Sequence, residues 1–325
     1  MRYPRLGAAV LLSAVVALAG CSSPSQEPAA APSAAPDGGF PVTIAHQYGS
    51  ATIPATPQRI VTVGFNEADF VLALGEKPVG EREVLGTFDA DRRSWAQAAL
   101  GGTTPEKVGG TEIDFEKVAS LRPDLILGVY SFMEQADYDK LSAIAPTIAA
   151  PDADGATWQE QTLITGQALG KQAQAQQVVT EVEKKYTDTI AAHPEFAGRT
   201  VTVGLWGVDS GIYALEPSDL RTSFYTGFGL TPSSITGSVG PESYGRLEAD
   251  VVVAAGATRA DLANQPTFQS LPATQQNRVI YTGGFDTELN GAVGYGSPLS
   301  IPVAIDLVTP RLAAALDGDP ATGTD

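Results

Sequence analysis

One sequence pattern occurs twice, on either side of a long stretch without proline. The stretches 116–127 (EKVASLRPDLIL) and 242–253 (ESYGRLEADVVV) each have a glutamate, a leucine five residues later, an aspartate eight residues later and then three aliphatic residues. Each stretch predicts a short helix, a tight turn and a buried strand. Residues 156–193 lie between them, contain no proline and predict helix. We therefore expect two similarly built halves with a helical segment between them.

The rest of the sequence also alternates between predicted strands and predicted helices. Short aliphatic runs bounded by turn residues predict strands at 60–63, 78–80, 124–128, 147–149, 200–206, 250–255 and 278–282. Asn66 and Asp114 are polar residues that predict capped helices directly after them. The last helix is predicted over 301–316 and is expected to be kinked or broken at Pro310. Strands that alternate with helices indicate an α/β fold with parallel sheets.

The helical segment over 156–193 is predicted to break near Gly170. Its second part places apolar residues three and four positions apart on one face, namely Ala175, Val178, Val179, Val182, Tyr186 and Ile190. Between Lys171 and His193 there is neither proline nor glycine. Since sharp bends in helices need such residues or a bulge, this part is expected to be one stiff helix that permits only a small closing movement.

The start of the chain indicates export. Arg2 and Arg5 precede the uncharged run 6–19, which has the length of a signal-peptide core. That run is shorter than the ~20 residues that a membrane-spanning helix needs. We predict a signal peptide over residues 1–20.

The end of that run predicts lipid attachment. Residues 18–21 (LAGC) resemble the bacterial lipobox, in which the cysteine receives a diacylglycerol, and Cys21 is the single cysteine of the chain. Residues 21–40 are mostly small, polar or proline, which is typical of a disordered tether. The predicted location is the extracytoplasmic face of the cell membrane. An ordinary signal peptide that happens to contain a cysteine is the alternative.

Charge and composition exclude several classes of function. The chain has 37 acidic and 20 basic residues, which argues against binding to nucleic acid or to anionic lipid. The two histidines, His46 and His193, and the single cysteine are too few for a dedicated zinc site, so we predict no protein-bound metal. Nucleophile-elbow, metalloprotease, phosphate-loop and Cys-x-x-Cys motifs are absent from the sequence, so we predict no catalytic residues.

Three stretches carry a resemblance to a known family, in the expected order along the chain. They are TIPATPQRIVTVGFNEADFVLALGEKPVG (52–80), VGGTEIDFEKVASLRPDLILG (108–128) and YDKLSAIAPTIA (138–149). The chain resembles the substrate-binding lipoproteins that serve ABC importers of ferric siderophores, haem and cobalamin. The resemblance covers about residues 45–315.

The resemblance implies a fold and a division into domains. It implies two Rossmann-like α/β lobes joined by a single long helix, with the ligand cleft between the lobes. On this sequence the implied boundaries are 41–169 for the N-terminal lobe, 170–194 for the connecting helix, 195–317 for the C-terminal lobe and 318–325 for a tail.

The resemblance also implies that one glutamate on each lobe docks on arginines of the permease. The matching positions are Glu116 and Glu242, the leading residues of the repeated pattern. Taken alone, each is an ordinary first-turn glutamate that the helix dipole favours. The occurrence of both at the same place in the repeat favours the docking role.

Ligands of open α/β sheets bind beyond the carboxyl ends of the strands, which nominates the ligand-binding residues. The nominated residues are Phe65, Asn66, Arg82, Tyr130, Phe132, Trp206, Tyr213, Arg221, Phe285 and Tyr295. Aromatic planes suit the faces of metal chelates, and arginine or tyrosine hydroxyl groups bind the oxygens around the iron. Tyr130, Trp206 and Arg221 are the leading candidates. The alternatives are a core position for Trp206 and pairing of the arginines with nearby acids.

The sequence departs from some relatives near the first docking glutamate. Gly110 and Thr111 stand where some hydroxamate-siderophore receptors carry an arginine. A basic contact from this segment is therefore in doubt, and Arg92 and Arg93 are alternative sources of positive charge.

We expect a monomeric receptor that captures an intact ferric siderophore and delivers it to an ABC permease. The chelator holds the metal, so no cofactor and no catalysis are expected. Haem and cobalamin are alternatives within the family, and Tyr130 is a possible haem ligand. An extracytoplasmic hydrolase and a surface adhesion module are alternatives from other classes.

Overall fold

The computed structural model describes residues 39–83, 88, 92–153, 155–208 and 211–324. The predicted signal peptide, Cys21 and most of the predicted tether lie outside the described residues. The described residues all belong to one compact unit. Within the described ranges, no helix combines the length and the apolar character that crossing a lipid bilayer requires.

The strands of the described residues are short, as is usual for α/β proteins. In chain order they are β1 (Val42–His46), β2 (Gly49–Ile53), β3 (Ile60–Thr62), β4 (Gly80–Glu81), β5 (Glu106–Lys107), β6 (Leu125–Gly128), β7 (Thr147–Ala149), β8 (Thr200–Val208), β9 (Gly211–Ala214), β10 (Thr231–Pro232), β11 (Gly237–Val239), β12 (Val251–Ala255) and β13 (Val279–Tyr281).

Helices separate most of these strands. In chain order they are α1 (Glu67–Ala73), α2 (Gln97–Leu100), α3 (Phe115–Ser120), α4 (Gln135–Ser142), α5 (Trp158–Leu169), α6 (Gln172–Ala192), α7 (Leu220–Thr226), α8 (Arg259–Leu262), α9 (Pro266–Gln269), α10 (Pro272–Gln275), α11 (Glu288–Tyr295) and α12 (Ser300–Leu316). Short 3₁₀ helices lie at Ser94–Ala96, Pro194–Phe196 and Pro241–Leu247.

The strands form two separate main sheets. The first has five parallel strands in the order β5-β4-β3-β6-β7. The second has six strands, in the order β11-β9-β8-β12-β13 with β10 also paired to β8. In it, β9 is antiparallel to β8 while β10 and β12 are parallel to β8. We name β1–β7 with α1–α5 the N-lobe and β8–β13 with α7–α12 the C-lobe, and α6 connects them.

The repeated sequence pattern occupies the same place in both sheets. In the N-lobe α3 leads into β6, which lies beside β3, and in the C-lobe a 3₁₀ helix leads into β12, which lies beside β8. Asp124 accepts the Arg59 N–H at 2.8 Å, and Asp250 accepts the Thr200 N–H at 2.8 Å. Each aspartate thus ties its strand to the start of the neighbouring strand. The two similarly built α/β lobes predicted from the sequence are confirmed.

Each sheet buries apolar residues on both faces, because alternate side chains of a strand point to opposite sides. One of the resulting clusters contains residues of both lobes. Phe70 and Trp95 of the N-lobe lie in the same buried cluster as Val182 of α6 and Val253 and Val293 of the C-lobe. The lobes therefore share an apolar core across their boundary.

The connecting helix α6 is a single helix of 21 residues that packs on both lobes. Towards the N-lobe, Gly166 allows α5 to approach closely, since a Cβ on it would lie 2.3 Å from the Cβ of Ala175. Towards the C-lobe, the Tyr186 hydroxyl donates to the Phe224 carbonyl at 3.1 Å. Gly170 ends α5 in the left-handed conformation, with φ of 68°, as the predicted break requires. The prediction of one long connecting helix is confirmed, and the domain boundaries stay predictions.

The structure corrects one local expectation and specifies two others. Asn66 precedes α1, but its side chain donates to the Tyr295 carbonyl at 2.8 Å and does not cap the helix. Helix α12 is not broken at Pro310, because Val308 and Leu312 on either side of it are fully buried and packing outweighs one lost hydrogen bond. A kink at Pro310 stays a prediction. The short helix predicted for the second repeat is present as a 3₁₀ helix, and Gly245 inside it is a poor α-helix former.

Candidate functional site

Tyr130 follows β6, and a buried carboxylate holds its backbone in place. The Tyr130 N–H donates to Glu67 Oε1 at 2.5 Å, and the Asn66 N–H donates to Glu67 Oε2 at 3.3 Å. Glu67 is only 1% exposed. Burial raises the pKa of Glu67 to about 7, although these hydrogen bonds and the charge of Arg82 act in the opposite direction. The Glu67 carboxylate therefore fixes the loop that carries Tyr130.

Three aromatic rings of the N-lobe gather around this loop. The Tyr130 and Phe132 ring centroids are 4.8 Å apart, and those of Phe65 and Phe132 are 6.2 Å apart. Phe132 is 73% exposed and has a φ of 53°, which is rare for a residue with a bulky side chain. A large apolar ring held in solvent by a strained backbone is a frequent feature of binding sites.

Arg82 is buried and its donors go to the backbone of nearby loops. Its Nε donates to the Gly110 carbonyl at 2.7 Å and its Nη2 donates to the Thr111 carbonyl at 2.5 Å. Its guanidinium carbon lies 4.4 Å from the centroid of the Phe65 ring. Arg82 thus fixes the loop that contains Gly110 and Thr111 by hydrogen bonds, and its guanidinium packs on the Phe65 ring. Its role as a direct ligand contact stays a prediction.

Arg221 of the C-lobe is held by an aspartate two residues before it. Arg221 Nε donates to Asp219 Oδ1 at 2.9 Å and Arg221 Nη2 donates to Asp219 Oδ2 at 2.8 Å. Asp219 also caps α7 by accepting the Arg221 N–H at 2.9 Å. The pairing of Arg221 with a nearby acid, which the sequence left open, is therefore observed. The pair leaves little net charge at this position.

Tyr130 and the Arg221–Asp219 pair face each other across the boundary between the lobes. Burial and the negative charge of Asp219 raise the pKa of Tyr130 to about 12, and the positive charge of Arg221 partly opposes this. The Tyr130 hydroxyl group is therefore protonated at neutral pH and can donate a hydrogen bond to a ligand oxygen.

Two cavities open between the lobes on either side of Tyr130. The larger has a volume of about 990 Å³ and the smaller about 160 Å³, and Tyr130 lines both. The larger lies among residues 129–133, 150–153 and 155–160 of the N-lobe, α6, and residues 218–227 of the C-lobe. We name the two cavities together the interlobe cleft. The larger is at the upper end of the 300–1,000 Å³ range of small-molecule sites.

The C-lobe contributes aromatic residues to the smaller cavity. Phe285 is 45% exposed, and its ring lies against Gly256, on which a Cβ would be 2.5 Å from the ring. Tyr295 is buried, and its hydroxyl donates to the Phe88 carbonyl at 2.8 Å. The structure thus brings together Tyr130, Arg221, Phe285 and Tyr295 from the predicted set.

Trp206 and Tyr213 are placed elsewhere in the C-lobe. Trp206 is partly buried against the apolar cluster that contains Leu247 and Phe268, and Tyr213 is partly buried in β9. Neither is among the described residues that line the interlobe cleft. This is the core position that the sequence left open for Trp206. A ligand-binding role for the two residues stays a prediction.

Arg93 does not supply positive charge to the cleft. It is 1% exposed, and its guanidinium lies 2.8 Å from Glu81 and 3.4 Å from Asp69. It also donates to the Tyr295 hydroxyl at 3.3 Å. Arg92 is exposed and is not among the described residues that line the cleft. The buried group around Arg93 joins the N-lobe to Tyr295 of the C-lobe.

Sequence reasoning missed several residues of the cleft. Trp158 and Glu160 begin α5, Glu183 lies on α6 and Asp152 follows β7, and all four line the larger cavity. They come together because α5 and α6 pack side by side, which helix periodicity alone does not reveal. Glu67 was missed as well. The one signal for it in the sequence is the nearby Gly64, because a Cβ at that position would lie 1.9 Å from Glu67 Oε1 and leave no room for the carboxylate.

The two predicted docking glutamates occupy corresponding surface positions. Glu116 is exposed in the first turn of α3, and Glu242 is exposed in the first turn of the 3₁₀ helix Pro241–Leu247. Their positions at the starts of the two repeats agree with the pattern in the sequence. Their docking role stays a prediction.

The described residues do not cluster as metal ligands do. No group of three or more His, Cys, Asp or Glu side chains in the described ranges is placed to hold a metal ion. The carboxylates around the larger cavity are therefore dispersed and do not form a chelating group.

Comparison with known proteins defines the class to which this fold and cleft belong. The sequence model of one family, described as periplasmic binding protein, matches residues 60–284. A crystal structure of a periplasmic solute-binding protein from Mycobacterium smegmatis is 32% identical, with a TM-score of 0.77, over 85% of this chain and 98% of that one. The chain belongs to the periplasmic binding protein family. The family resemblance and the two-lobed α/β fold predicted from the sequence are confirmed.

One further relative is named for siderophore binding, and another was crystallised with ferrichrome. The probable siderophore-binding lipoprotein YfiY of Bacillus subtilis is 30% identical over 197 residues, which span 60% of this chain and 57% of that protein. The structure of PiaA from Streptococcus pneumoniae in complex with ferrichrome is 23% identical, with a TM-score of 0.75, over 86% of this chain and 99% of that one. At that identity, the second likeness establishes the fold alone.

Proposed function

We propose that this protein is the extracytoplasmic receptor of an ABC importer and captures an intact ferric siderophore between its lobes. The observation that carries the proposal is the larger cavity of about 990 Å³, which aromatic residues of the N-lobe border. Flat or macrocyclic chelates offer faces that pack on such rings. The Tyr130 hydroxyl group and the Arg221 guanidinium supply donors for the oxygen atoms of a chelate.

The names of relatives support a siderophore as the ligand. YfiY is named a probable siderophore-binding lipoprotein, and PiaA has been crystallised with ferrichrome. Because the chelator holds the iron, the receptor itself needs no metal-binding cluster. Haem and cobalamin remain the alternatives, since they also offer large flat faces.

We further propose the location and the partner that the sequence predicts. Lipid on Cys21 and the tether over 21–40 keep the receptor near the permease at the extracytoplasmic face of the membrane. Glu116 and Glu242 dock the loaded monomer on that permease. The word lipoprotein in the name of YfiY supports this location.

Ligand titration followed by tryptophan fluorescence tests the proposed function. The panel contains a ferric trihydroxamate, a ferric tris-catecholate, haemin, cobalamin, free Fe³⁺ and free Zn²⁺. We expect at least one ferric chelate to bind with a Kd below about 1 µM, equivalent to roughly −8 kcal/mol. Failure of every ferric chelate to bind, or tight stoichiometric binding of free Zn²⁺, would refute the proposal.

Matched tryptophan variants locate the bound chelate. Trp158 lines the larger cavity, whereas Trp206 packs in the C-lobe core. We expect Trp158→Phe to remove most of the quenching by the chelate and Trp206→Phe to remove little of it. The reverse result would place the ligand outside the larger cavity.

A further inference from the structure

The smaller cavity of the interlobe cleft has room for a single aromatic ring. Its volume is about 160 Å³, and an apolar cavity of about 150 Å³ in a protein core binds benzene. A porphyrin or corrin macrocycle is several times larger than one benzene ring, so it does not fit in this cavity. The smaller cavity can therefore hold one ring-sized part of a ligand rather than a whole chelate.

Aromatic side chains from both lobes line this cavity. Phe65 and Tyr130 belong to the N-lobe, and Phe285 and Tyr295 belong to the C-lobe. The Phe65 ring packs on the Arg82 guanidinium, and the Tyr295 hydroxyl donates to a backbone carbonyl at 2.8 Å, so neighbouring groups fix both rings. Aromatic rings attract one another in edge-to-face and offset arrangements, beyond the effect of burial. The lining therefore favours an aromatic ring over an aliphatic group of the same size.

Helix α11 presents two glycines to the cavity. Gly291 and Gly294 both line it, and residues three apart lie on one face of a helix. The Phe88 ring already fills the space at Gly291, where a Cβ would lie 2.3 Å from it. A Cβ on Gly294 would meet nothing within 4 Å beyond its own stretch of helix. The absence of a side chain at Gly294 thus leaves open a space that a ligand ring can occupy.

Arg221 places a hydrogen-bond donor beside these rings. It lines the smaller cavity, and its Nε and Nη2 atoms donate to Asp219. Its Nη1 atom makes no hydrogen bond with the described residues, so it can donate to an oxygen atom of a ligand. Hydrogen bonds from guanidinium groups to anionic oxygens are among the stronger ones in proteins. The cavity thus combines an aromatic lining with a donor for an oxygen atom on the ring.

Tyr130 lies between the smaller and the larger cavity, because it lines both. We propose that the smaller cavity is a subsite for one oxygen-bearing aryl ring of the siderophore and that the rest of the chelate lies in the larger cavity. The captured chelate then carries at least one phenolate or catecholate arm. The proposal rests on the proposed function and specifies the class of ligand within it. A chelate built only from hydroxamate or carboxylate groups on aliphatic chains would leave the aromatic lining without a partner.

Calorimetric titration with two sets of ferric chelates tests the proposed ligand class. The aryl set consists of a tris-catecholate complex and a complex with a 2-hydroxyphenyl-oxazoline arm. The aliphatic set consists of a trihydroxamate complex and a complex of a citrate-based carboxylate chelator. We expect the tightest-binding chelate to come from the aryl set, with a Kd at least about tenfold lower than that of every aliphatic chelate.

Variants at Gly294 locate the ring. Gly294→Leu places a side chain in the open space, so it should raise the Kd of the tightest aryl chelate about tenfold. Any aliphatic chelate that binds should keep its Kd within about twofold, because it does not need this space. Gly294→Ala should raise the Kd of the aryl chelate about threefold, and it preserves the fold because alanine is the better helix former.

Gly245→Leu is the matched control for these variants. Gly245 is exposed, a Cβ on it would meet nothing within 4 Å, and it is not among the described residues that line either cavity. We expect this variant to bind every chelate with the Kd of the parent protein.

The outcomes separate this inference from the function on which it rests. Tightest binding of an aliphatic chelate would overturn the proposed ligand class and leave the receptor function standing. An unchanged Kd for the aryl chelate in Gly294→Leu, Gly294→Ala and Gly245→Leu alike would show that the ring lies outside the smaller cavity and would overturn the subsite. Binding of no ferric chelate would overturn the receptor function itself.

Discussion

The two lobes have the same arrangement of hydrogen bonds where their central strands begin, at β3 and β6 in the N-lobe and at β8 and β12 in the C-lobe. They differ in the residues that lie where these strands end. At the beginning, Asp124 accepts the backbone N–H groups of Gln58 and Arg59, directly before β3, and Asp250 accepts the backbone N–H of Thr200, the first residue of β8. At the other end, the N-lobe has a buried Glu67 that fixes a loop with an exposed aromatic ring, while the C-lobe has the Arg221–Asp219 pair. The repeated sequence pattern thus specifies the shared frame, and the ligand site arises from the residues that the lobes do not share.

The two main sheets also differ in where β3 and β8, the strands beside the repeated pattern, come to an end. In the N-lobe β3 ends at Thr62 and the chain passes into the loop that presents Phe65. In the C-lobe β8 continues to Val208 because β9 pairs with it in the antiparallel direction. Trp206 is therefore still within a strand at the position where a strand end was expected, and it packs on the core.

The largest effect is expected for the pair of glutamates at the starts of the two repeats. Glu116→Ala/Glu242→Ala should abolish uptake of the chelate by cells and leave its affinity for the purified receptor unchanged. Both side chains are exposed and lie away from the cleft, and loss of two charge pairs across an interface can cost several kcal/mol. Cellular uptake of radioactive iron and fluorescence titration measure the two quantities.

A matched variant and the single variants sharpen this test. Glu112→Ala/Glu216→Ala removes one exposed glutamate from each lobe outside the repeats and should transport normally. If the lobes dock equivalently, the single variants Glu116→Ala and Glu242→Ala should reduce uptake to a similar extent. Normal uptake by the double variant would remove these glutamates from the docking surface.

The buried carboxylate of the N-lobe should give stability a distinct pH dependence. The pKa of Glu67 is about 7 in the folded protein, whereas it is 4.5 for a solvent-exposed glutamate, because burial disfavours the charged form. Between these values the folded state binds more protons, so the free energy of unfolding should fall as the pH rises from 4.5 to 7, by about 3 kcal/mol. Urea unfolding at several pH values measures it. Glu67→Gln should flatten the profile, and an equally steep fall in that variant would assign the effect to another group.

The two shared aspartates should each stabilise the folded protein, and the effect of Asp250 should depend on pH in the opposite direction to that of Glu67. Asp124→Ala and Asp250→Ala should each cost about 0.5–1.5 kcal/mol, since each removes the side-chain acceptor of a backbone N–H at the start of a neighbouring strand. Burial raises the pKa of Asp250, but the hydrogen bonds from Thr200 and the charge of Arg199 outweigh it and lower the pKa. Its contribution is therefore present above about pH 3.8, the ordinary value, and is lost as the pH falls through the lower folded pKa.

The double variant tests whether the lobes unfold together. The aspartates lie in different lobes, so their costs should add to within about 0.5 kcal/mol in a single unfolding transition. The apolar cluster that spans both lobes predicts such a single transition. Two separate transitions, each sensitive to one of the aspartates, would show that the shared frame also gives each lobe independent stability.

The frame of the protein could be predicted from its sequence because it depends on local signals. Asp114 accepts the Lys117 N–H and caps α3 as its position predicts, and Gly170 separates α5 from α6. Periodicity identified the buried face of α6, on which Ala175 and Tyr186 lie. Each of these features is decided by residues a few positions apart, so one sequence suffices.

The site could be predicted only in part because its contacts join residues distant in the chain. Tyr130 was identified by its place after a buried strand, whereas its support comes from Glu67, 63 residues earlier. Arg93 is one of two alternative sources of positive charge in the sequence, and only the structure shows that Asp69 and Glu81 surround it. Polarity in the sequence does not reveal whether a charged side chain faces a ligand or another side chain.

The smallest expected effect is the change of shape on ligand binding. Helix α6 has no Pro or Gly between Gln172 and Ala192, and it packs on α5 of one lobe and on Phe224 of the other. Hydrogen bonds also cross the boundary, from Asn66 to the Tyr295 carbonyl at 2.8 Å and from Ser297 to Asp69 at 2.8 Å. A wide hinge motion would break these bonds and expose the shared core, so the lobes should move relative to each other only slightly.

Small-angle scattering with and without a bound ferric chelate measures this movement. We expect the radius of gyration of the parent protein to stay unchanged within error, because the helix holds both lobes. Gln177→Gly/Thr180→Gly alters two exposed positions in the middle of α6, and each glycine weakens the helix by about 1 kcal/mol relative to alanine. If α6 is what limits the movement, this variant should show a larger ligand-dependent change than the control Gln177→Ala/Thr180→Ala. A large change in the parent protein, like that of receptors whose lobes are joined by strands, would show that α6 does not hold the lobes in a fixed arrangement.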